Sequence, residues 1–394
     1  MAGIRPNPTL SEDLISEILV RVPVKSLLCF QLVCKGWSSL IKHPTFVKSQ
    51  LLHAITAETD QTLIISPYKR YSEKKFSLLH ANSREIVADL KFPYSQGDFN
   101  TRIVGSASGI VCFVVALNFP KYKTSTYLWN PAIRQSKLIP SFSNELHCKE
   151  VRSDGFGYDP IDHDYKVVRV VSGPSLSSMR HLLSAEVYSA NKNVWRKVPD
   201  PIDIPWDSDF DVCVNGYLCG IGNYGMMSFD LNKEVFSCTM KLPIMRELVR
   251  DEARIIEFNK SIAVVILLIA YNDDKSNGEL DNKINMWSLD DDACLRGGGV
   301  VPSWTIMFSI DLVTPVELSL GYFCNGDLLL LILDEKYVYK WISCNANKKE
   351  AKIFPLSVDM AKHKYCRGVD KYRESLVSLT GFKQVNWNAV EDDN

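Results

Sequence analysis

Two hydrophobic rhythms divide this chain. Between Leu10 and Phe46 apolar residues recur at helical spacing; beyond Leu52 they gather into short β-branched and aromatic runs broken by Gly, Asn, Asp and Pro. At 100° per residue, Leu14, Ile15, Ile18, Leu19 and Val22 fall in one sector of about 140°, which predicts an amphipathic helix. Thr9 with Glu12 fits a capping box, Ser11 is the alternative cap, and Asp13 puts negative charge at the positive end of the helix. Pro23 ends it, lacking an N–H and restricting the residue before it. The stretch from Val24 to Ile41 is apolar nearly all round, so it must be covered on more than one side. Lys35-Gly36 marks a break, Trp37, Leu40 and Ile41 resume the pattern, and Pro44 closes it. The expectation is three short helices with one apolar face left over. Modules of roughly 40 residues rarely build a core alone. Leaving half a dozen Leu, Ile and Val exposed forgoes roughly 1.5–3 kcal/mol each. The segment therefore reads as a docking surface.

The later runs repeat a unit: a hydrophobic strand, a strand ending in an aromatic, a polar turn, and a strand ending near a proline. Instances close at Pro93, Pro140, Pro199, Pro243 and Pro355, and a looser one without proline begins at Ile284. Six units at roughly 45–60 residues suit four-stranded propeller blades. Gly105 to Gly109, Asn215-Gly216 and Asn325-Gly326 stand between apolar runs as hairpin turns. A propeller must tie its ends together, and Ser375 to Leu379 is expected to do so by pairing near Leu63 to Ile65.

Composition narrows the classes. A net charge of −1 gives no electrostatic argument for nucleic acid or an anionic membrane. The longest apolar run, Ile262 to Ala270, is far too short to span a bilayer as a helix and reads as a buried strand. The opening residues lack the apolar region of a secretory signal. Eleven cysteines without a C-x-x-C pair suggest free thiols in a reducing compartment, hence a cytoplasmic and/or nuclear location.

Catalytic patterns are scarce. Asp162-His163-Asp164 is the most reactive-looking triplet, but it falls in a turn between two strands, where Asp is favoured for bonding nearby backbone. Gly297-Gly298-Gly299 lacks the helix and Lys-Ser/Thr of a phosphate loop. No G-x-S-x-G, H-E-x-x-H or paired metal-ligand spacing occurs. Exposed aromatics in long loops are the candidates for target capture: Tyr94, Phe99, Trp206 and Phe210, with the loops Ser172–Arg180, Asn272–Lys283 and Asp290–Pro302.

Leu10, Glu12-Asp13-Leu14, Ile18-Leu19, Arg21, Val22-Pro23, Val24-Lys25-Ser26-Leu27-Leu28, Val33-Cys34-Lys35, Trp37, Leu40-Ile41, Pro44 and Phe46 together resemble an F-box. Ser11 stands where that family usually has proline and Cys29 where it often has arginine; neither removes an apolar contact. The resemblance implies binding to a Skp-type adaptor and, through it, to a cullin–RING ubiquitin ligase. Its contact set would be Leu10, Leu14, Ile15, Ile18, Leu19, Val22, Pro23, Leu27, Leu28, Val33 and Trp37. Trp129-Asn130-Pro131, Gly157-Tyr158-Asp159-Pro160, Asp164-Tyr165-Lys166-Val167-Val168 and Tyr372-Arg373-Glu374-Ser375-Leu376 resemble the plant F-box-associated domain. That resemblance implies a plant source and a kelch-like domain holding a protein target for ubiquitination and proteasomal degradation, with no cofactor and no catalysis of its own.

The expected architecture is α+β and multidomain, a three-helix F-box followed by an all-β, kelch-like propeller of about six irregular blades. The expected boundaries are F-box 5–50, linker 51–60, propeller-like domain 61–380 and flexible tail 381–394. Within this class, turnover of an immune or regulatory target and pollen self-incompatibility are both open. Two other classes stand beside it: an F-box protein acting outside the ligase as a structural partner, and a carbohydrate-binding propeller.

Overall fold

A computed structural model describes residues 10–57, 62–67, 75–80, 85–91, 93, 99–117, 123–141, 150–172, 183–198, 210–222, 225–237, 240–244, 253–270, 281–296, 301–312, 320–324, 327–333, 339–345, 348, 350–354 and 366–385. The helical head contains α1 (Glu12–Val20), α2 (Val24–Phe30), α3 (Lys35–Lys42) and α4 (Pro44–Ala57). Ser11 caps α1, its side chain accepting a hydrogen bond from the Leu14 N–H at 3.3 Å. Cys34 caps α3 in the same way, its Sγ accepting from the Trp37 N–H. The expected three helices are thus four. Pro44 opens a helix instead of closing one, because proline at the first helical position gives up an N–H that has no partner there. Residues 51–57, expected as linker, form the end of α4.

Among the described residues, all further regular structure apart from one 3-10 turn is strand. The first sheet holds β1 (Thr62–Pro67), β2 (Lys75–His80) and β3 (Ile86–Lys91). The second holds β4 (Phe99–Ala107), β5 (Ile110–Leu117), β6 (Lys123–Asn130) and β7 (Gln135–Leu138). The third is β8 (Glu150–Asp159), β9 (Asp164–Ser172), β10 (Leu183–Ser189) and β11 (Val194–Lys197). The fourth is β12 (Val212–Val214), β13 (Tyr217–Gly222), β14 (Gly225–Asp230) and β15 (Val235–Phe236). The fifth is β16 (Ala253–Phe258), β17 (Ser261–Ala270), β18 (Asp281–Leu289) and β19 (Trp304–Leu312). The sixth is β20 (Leu320–Cys324), β21 (Asp327–Leu333), β22 (Tyr339–Asn345) and β23 (Glu350–Phe354).

Two late strands complete the architecture. β24 (Cys366–Tyr372) pairs antiparallel with β1 and supplies the innermost strand of the first sheet. β25 (Lys383–Gln384) adds a fifth strand to the second sheet by pairing with β7. Strands β4, β8, β12, β16 and β20 follow one another around the centre, and β24 sits between β20 and β4, so the six sheets close into a propeller. The closing strand was expected from Ser375 to Leu379 against Leu63–Ile65. The acceptor is right, but the donor is Val369 to Lys371, and Ser375–Leu379 runs on beyond the ring as extended chain. Residues 381–385, expected as the start of a flexible tail, instead hold the turn at Gly381 and the paired strand β25.

The repeated unit read from sequence is the outer hairpin of each sheet. Its aromatics Trp129, Tyr188, Phe229 and Trp287 lie on the third strands and are buried between neighbouring sheets. Asn215 and Gly216 both take positive φ, +51° and +83°, forming the hairpin turn that their pairing predicts.

Candidate adaptor surface and the seam between the two modules

The helical head sorts the eleven expected contact residues into three groups. Leu14 and Ile18, one turn apart on α1, are 49% and 53% exposed and form an apolar edge, and Leu10, before the Ser11 cap, is 57% exposed. Pro23 and Val33 are also exposed. Ile15, Val22, Leu28 and Trp37 are half-buried against the head's core, Trp37 edge-on to Phe30 with ring centroids 5.5 Å apart. Leu19 and Leu27 do not belong to the surface. They are buried with Val24, Ile41 and Phe46 inside the helical core, where apolar spacing alone cannot separate an inward from an outward leucine. Leu32, outside the expected contact set, lies in the turn after α2 and is 87% exposed beside Val33.

Of the expected target-contacting aromatics, Phe210 is a core residue. It packs in the cluster with Val168, Leu218 and Phe229, and a Cβ on Gly155 would lie 2.6 Å from its ring. Phe99 opens β4, but its side chain lies outside the described residues, as do Tyr94, Trp206 and residues 173–182, 271–280 and 297–300 of the candidate loops.

The Asp162-His163-Asp164 triplet forms the turn between β8 and β9. Asp159 Oδ1 accepts from the N–H groups of Ile161 and Asp162, His163 takes a φ of +51°, and Asp164 accepts from Ser189 and from the Asn191 N–H. The same segment welds two sheets. Lys166, fully buried, donates to Asp159 at 2.8 Å and to the Leu231 carbonyl of the next sheet at 2.7 Å. Burial alone would raise the Asp159 carboxyl, but the hydrogen bonds from Lys166, the two turn N–H groups and Asn232 outweigh it and hold it below the usual range. Burial acts against the Lys166 charge too, and the pairing with Asp159 overcomes it, holding the amine above its ordinary value. Asp154 makes a similar bridge, accepting from Arg169 on its own sheet at 2.9 Å and from Arg102 on the second at 3.1 Å.

The innermost strands enclose a cavity of about 90 Å³ lined by residues including Gly105, Cys213, Glu257, Asp370 and Lys371. Burial pushes the Asp370 carboxyl up to about 7, against the hydrogen bond it accepts from the Lys371 N–H. Lys371 pairs with Glu257 at 2.8 Å. Burial also raises the thiols of Cys112 and Cys219, which makes them poor nucleophiles. Among the described residues, no three His, Cys, Asp or Glu are grouped to hold a metal ion, and no helix is long and apolar enough to cross a membrane. A larger cleft, about 1550 Å³, opens beside the contact of head and propeller and is lined by Lys42, Lys48, Leu52 and Ile55 of the head and by Arg134 and Pro160 of the propeller.

A helical head with an uncovered apolar stripe, set on a closed six-sheet ring, defines a two-module protein. Residues 8–49 match the F-box domain, and residues 50–294 match the F-box associated beta propeller domain. The chain belongs to the plant F-box proteins that carry this associated domain. Two Arabidopsis thaliana proteins are each 31% identical over 57% of this chain, the F-box/kelch-repeat protein At3g23880 and the F-box protein At2g21930. The matched region spans 63% and 58% of their respective lengths. The F-box protein At5g10340 of the same plant is 26% identical over 79% of this chain and 72% of its own length. Among solved structures, the WD40 domain of SCAP from fission yeast aligns with a TM-score of 0.33 at 9% identity, over 72% of each chain.

Proposed function

We propose that this chain is the substrate-recognition subunit of a Skp–cullin–F-box ubiquitin ligase. The head binds a Skp-type adaptor, the adaptor brings the cullin–RING ligase, and the propeller holds a protein target. The observation that carries this reading is the exposed apolar set Leu10, Leu14 and Ile18 on an F-box whose Leu19 and Leu27 are committed to its own core. An apolar stripe left in water is costly unless a partner covers it. The chain itself is a non-catalytic adaptor. Ubiquitin transfer follows from proximity, since tethering raises the effective concentration of target lysines near the charged conjugating enzyme. Its site of action is the cytoplasm or nucleus, in keeping with exposed Cys29 and Cys34 left as free thiols.

Proximity labelling with the proteasome blocked tests this reading. The intact chain and a variant lacking residues 10–46 should label the same target proteins, and those targets should carry ubiquitin only with the intact chain. Equal ubiquitination by both would refute it.

A further inference from the structure

The segment from Arg373 to Val385 follows the closing strand β24 and lies beyond the residues matched to either domain family. It has two faces. Leu376, 7% exposed, enters the F-box core beside Leu19, Val24, Leu27, Ile41 and Phe46. Its neighbours Val377 and Leu379, with Phe382, pack instead on the propeller cluster that contains Ile110, Leu128 and Tyr165. Extended chain alternates its side chains, so one segment can bury residues in both modules at once.

Hydrogen bonds fix its register. Asn130, fully buried in the Trp-Asn-Pro turn of the second sheet, donates to the carbonyls of Ser375 at 3.0 Å and Val377 at 2.8 Å. Its own oxygen accepts from the Ala132 N–H at 3.0 Å, which holds the amide in that orientation. Ser375 Oγ donates to the Ser108 carbonyl at 2.7 Å. Lys137 Nζ donates to the Thr380 carbonyl at 2.8 Å, and β25 then joins the edge of the second sheet. The turn carrying Asn130 also presents Ala132 and Ile133 to the F-box core. F-box, second sheet and terminal segment therefore meet in one continuous packing unit.

We propose that Arg373–Val385 is a strap that joins F-box and propeller into one rigid body, with Asn130 and Leu376 as its positioning residues. The inference rests on the ligase reading only for its consequence: the strap sets the distance between the adaptor-binding edge and the target-holding loops. The strap itself is a property of the free chain.

Single-molecule fluorescence energy transfer on the full chain tests it, with dyes on noncanonical residues at Glu17, exposed on α1, and Lys233, exposed in the fourth sheet. The unmodified strap should give one narrow distance distribution. Asn130→Ala and Leu376→Ala should broaden or shift it at temperatures where the circular dichroism of the propeller is unchanged. A merely stabilising role would lower the melting temperature and leave the distance alone, which would overturn the proposal, as would a broad distribution in the unaltered chain. Should both variants fail to fold, the paired change Lys137→Ala with Ser378→Ala at the strap's rim decides by the same criterion. The measurement needs no adaptor. Failed adaptor capture with a narrow distribution would sink the ligase reading alone, and a broad distribution with intact capture would sink the strap alone.

Discussion

Replacing Leu14 and Ile18 together by alanine separates the surface of the F-box from its core. The two side chains are 49% and 53% exposed on adjacent turns of α1, so about half of each remains for a partner to cover. Burying a whole Leu or Ile is worth roughly 1.5–3 kcal/mol, which leaves about 1 kcal/mol apiece at the interface. The pair should therefore weaken adaptor binding by about 2 kcal/mol, roughly 30-fold in Kd. Stability should hardly move, because exposed substitutions usually stay within about 0.5 kcal/mol. Leu27→Ala is the contrast. It empties a fully buried site in the head and should cost about 2–5 kcal/mol of F-box stability. Titration calorimetry against a purified Skp-type adaptor reads the first effect and thermal unfolding reads the second. Unchanged affinity in the double variant would refute the reasoning, as would a melting loss matching that of Leu27→Ala.

Four further outcomes follow from the ring. Lys166→Met leaves Asp159 buried without its cation and should destabilise the chain by about 3–5 kcal/mol in urea unfolding. The stabilisation that Asp159 provides in the unaltered chain is present above the ordinary carboxylate range and should fade as pH falls through its depressed folded pKa. Asp370 works in the opposite sense, since its folded pKa of about 7 exceeds the unfolded value of about 3.9. The folded state binds the extra proton between those values, so stability should fall as pH rises from about 4 to about 7, and Asp370→Asn should flatten that slope in urea midpoints taken across the window. Gly109→Ala meets two obstacles, a φ of +84° and Ser375 Oγ only 2.2 Å from the new Cβ, and should cost more than about 1 kcal/mol, read as a lowered melting temperature.

Much of this architecture is written in local pattern. The amphipathic first helix, the Asn215-Gly216 hairpin and the buried third-strand aromatics follow from periodicity and turn chemistry, because each depends on neighbours a few residues away. The closing strand was harder to read for a physical reason. Its residues, CRGVDKY, are largely polar because Asp370 and Lys371 face the central cavity, whereas the apolar run after it earns its hydrophobicity by bridging two modules. Pro44 was ambiguous in isolation, since the same ring that stops a helix also suits its first position. Leu19 and Leu27 look like Leu14 in sequence, and the packing of all four helices with Leu376 decides which of them turn inward. Phe210 sits in a polar neighbourhood, and its partner Gly155 is 55 residues earlier in the chain.

An F-box head that couples this propeller to a ubiquitin ligase must hold adaptor and cullin together with it. Size-exclusion chromatography of the full chain mixed with a Skp-type adaptor and a cullin–RING assembly reads this coupling. A stoichiometric complex containing all components should form, and at concentrations near its Kd the Leu14→Ala, Ile18→Ala chain should leave it while remaining folded. Elution of the unaltered chain apart from the adaptor, or with the adaptor but without the cullin, would contradict it.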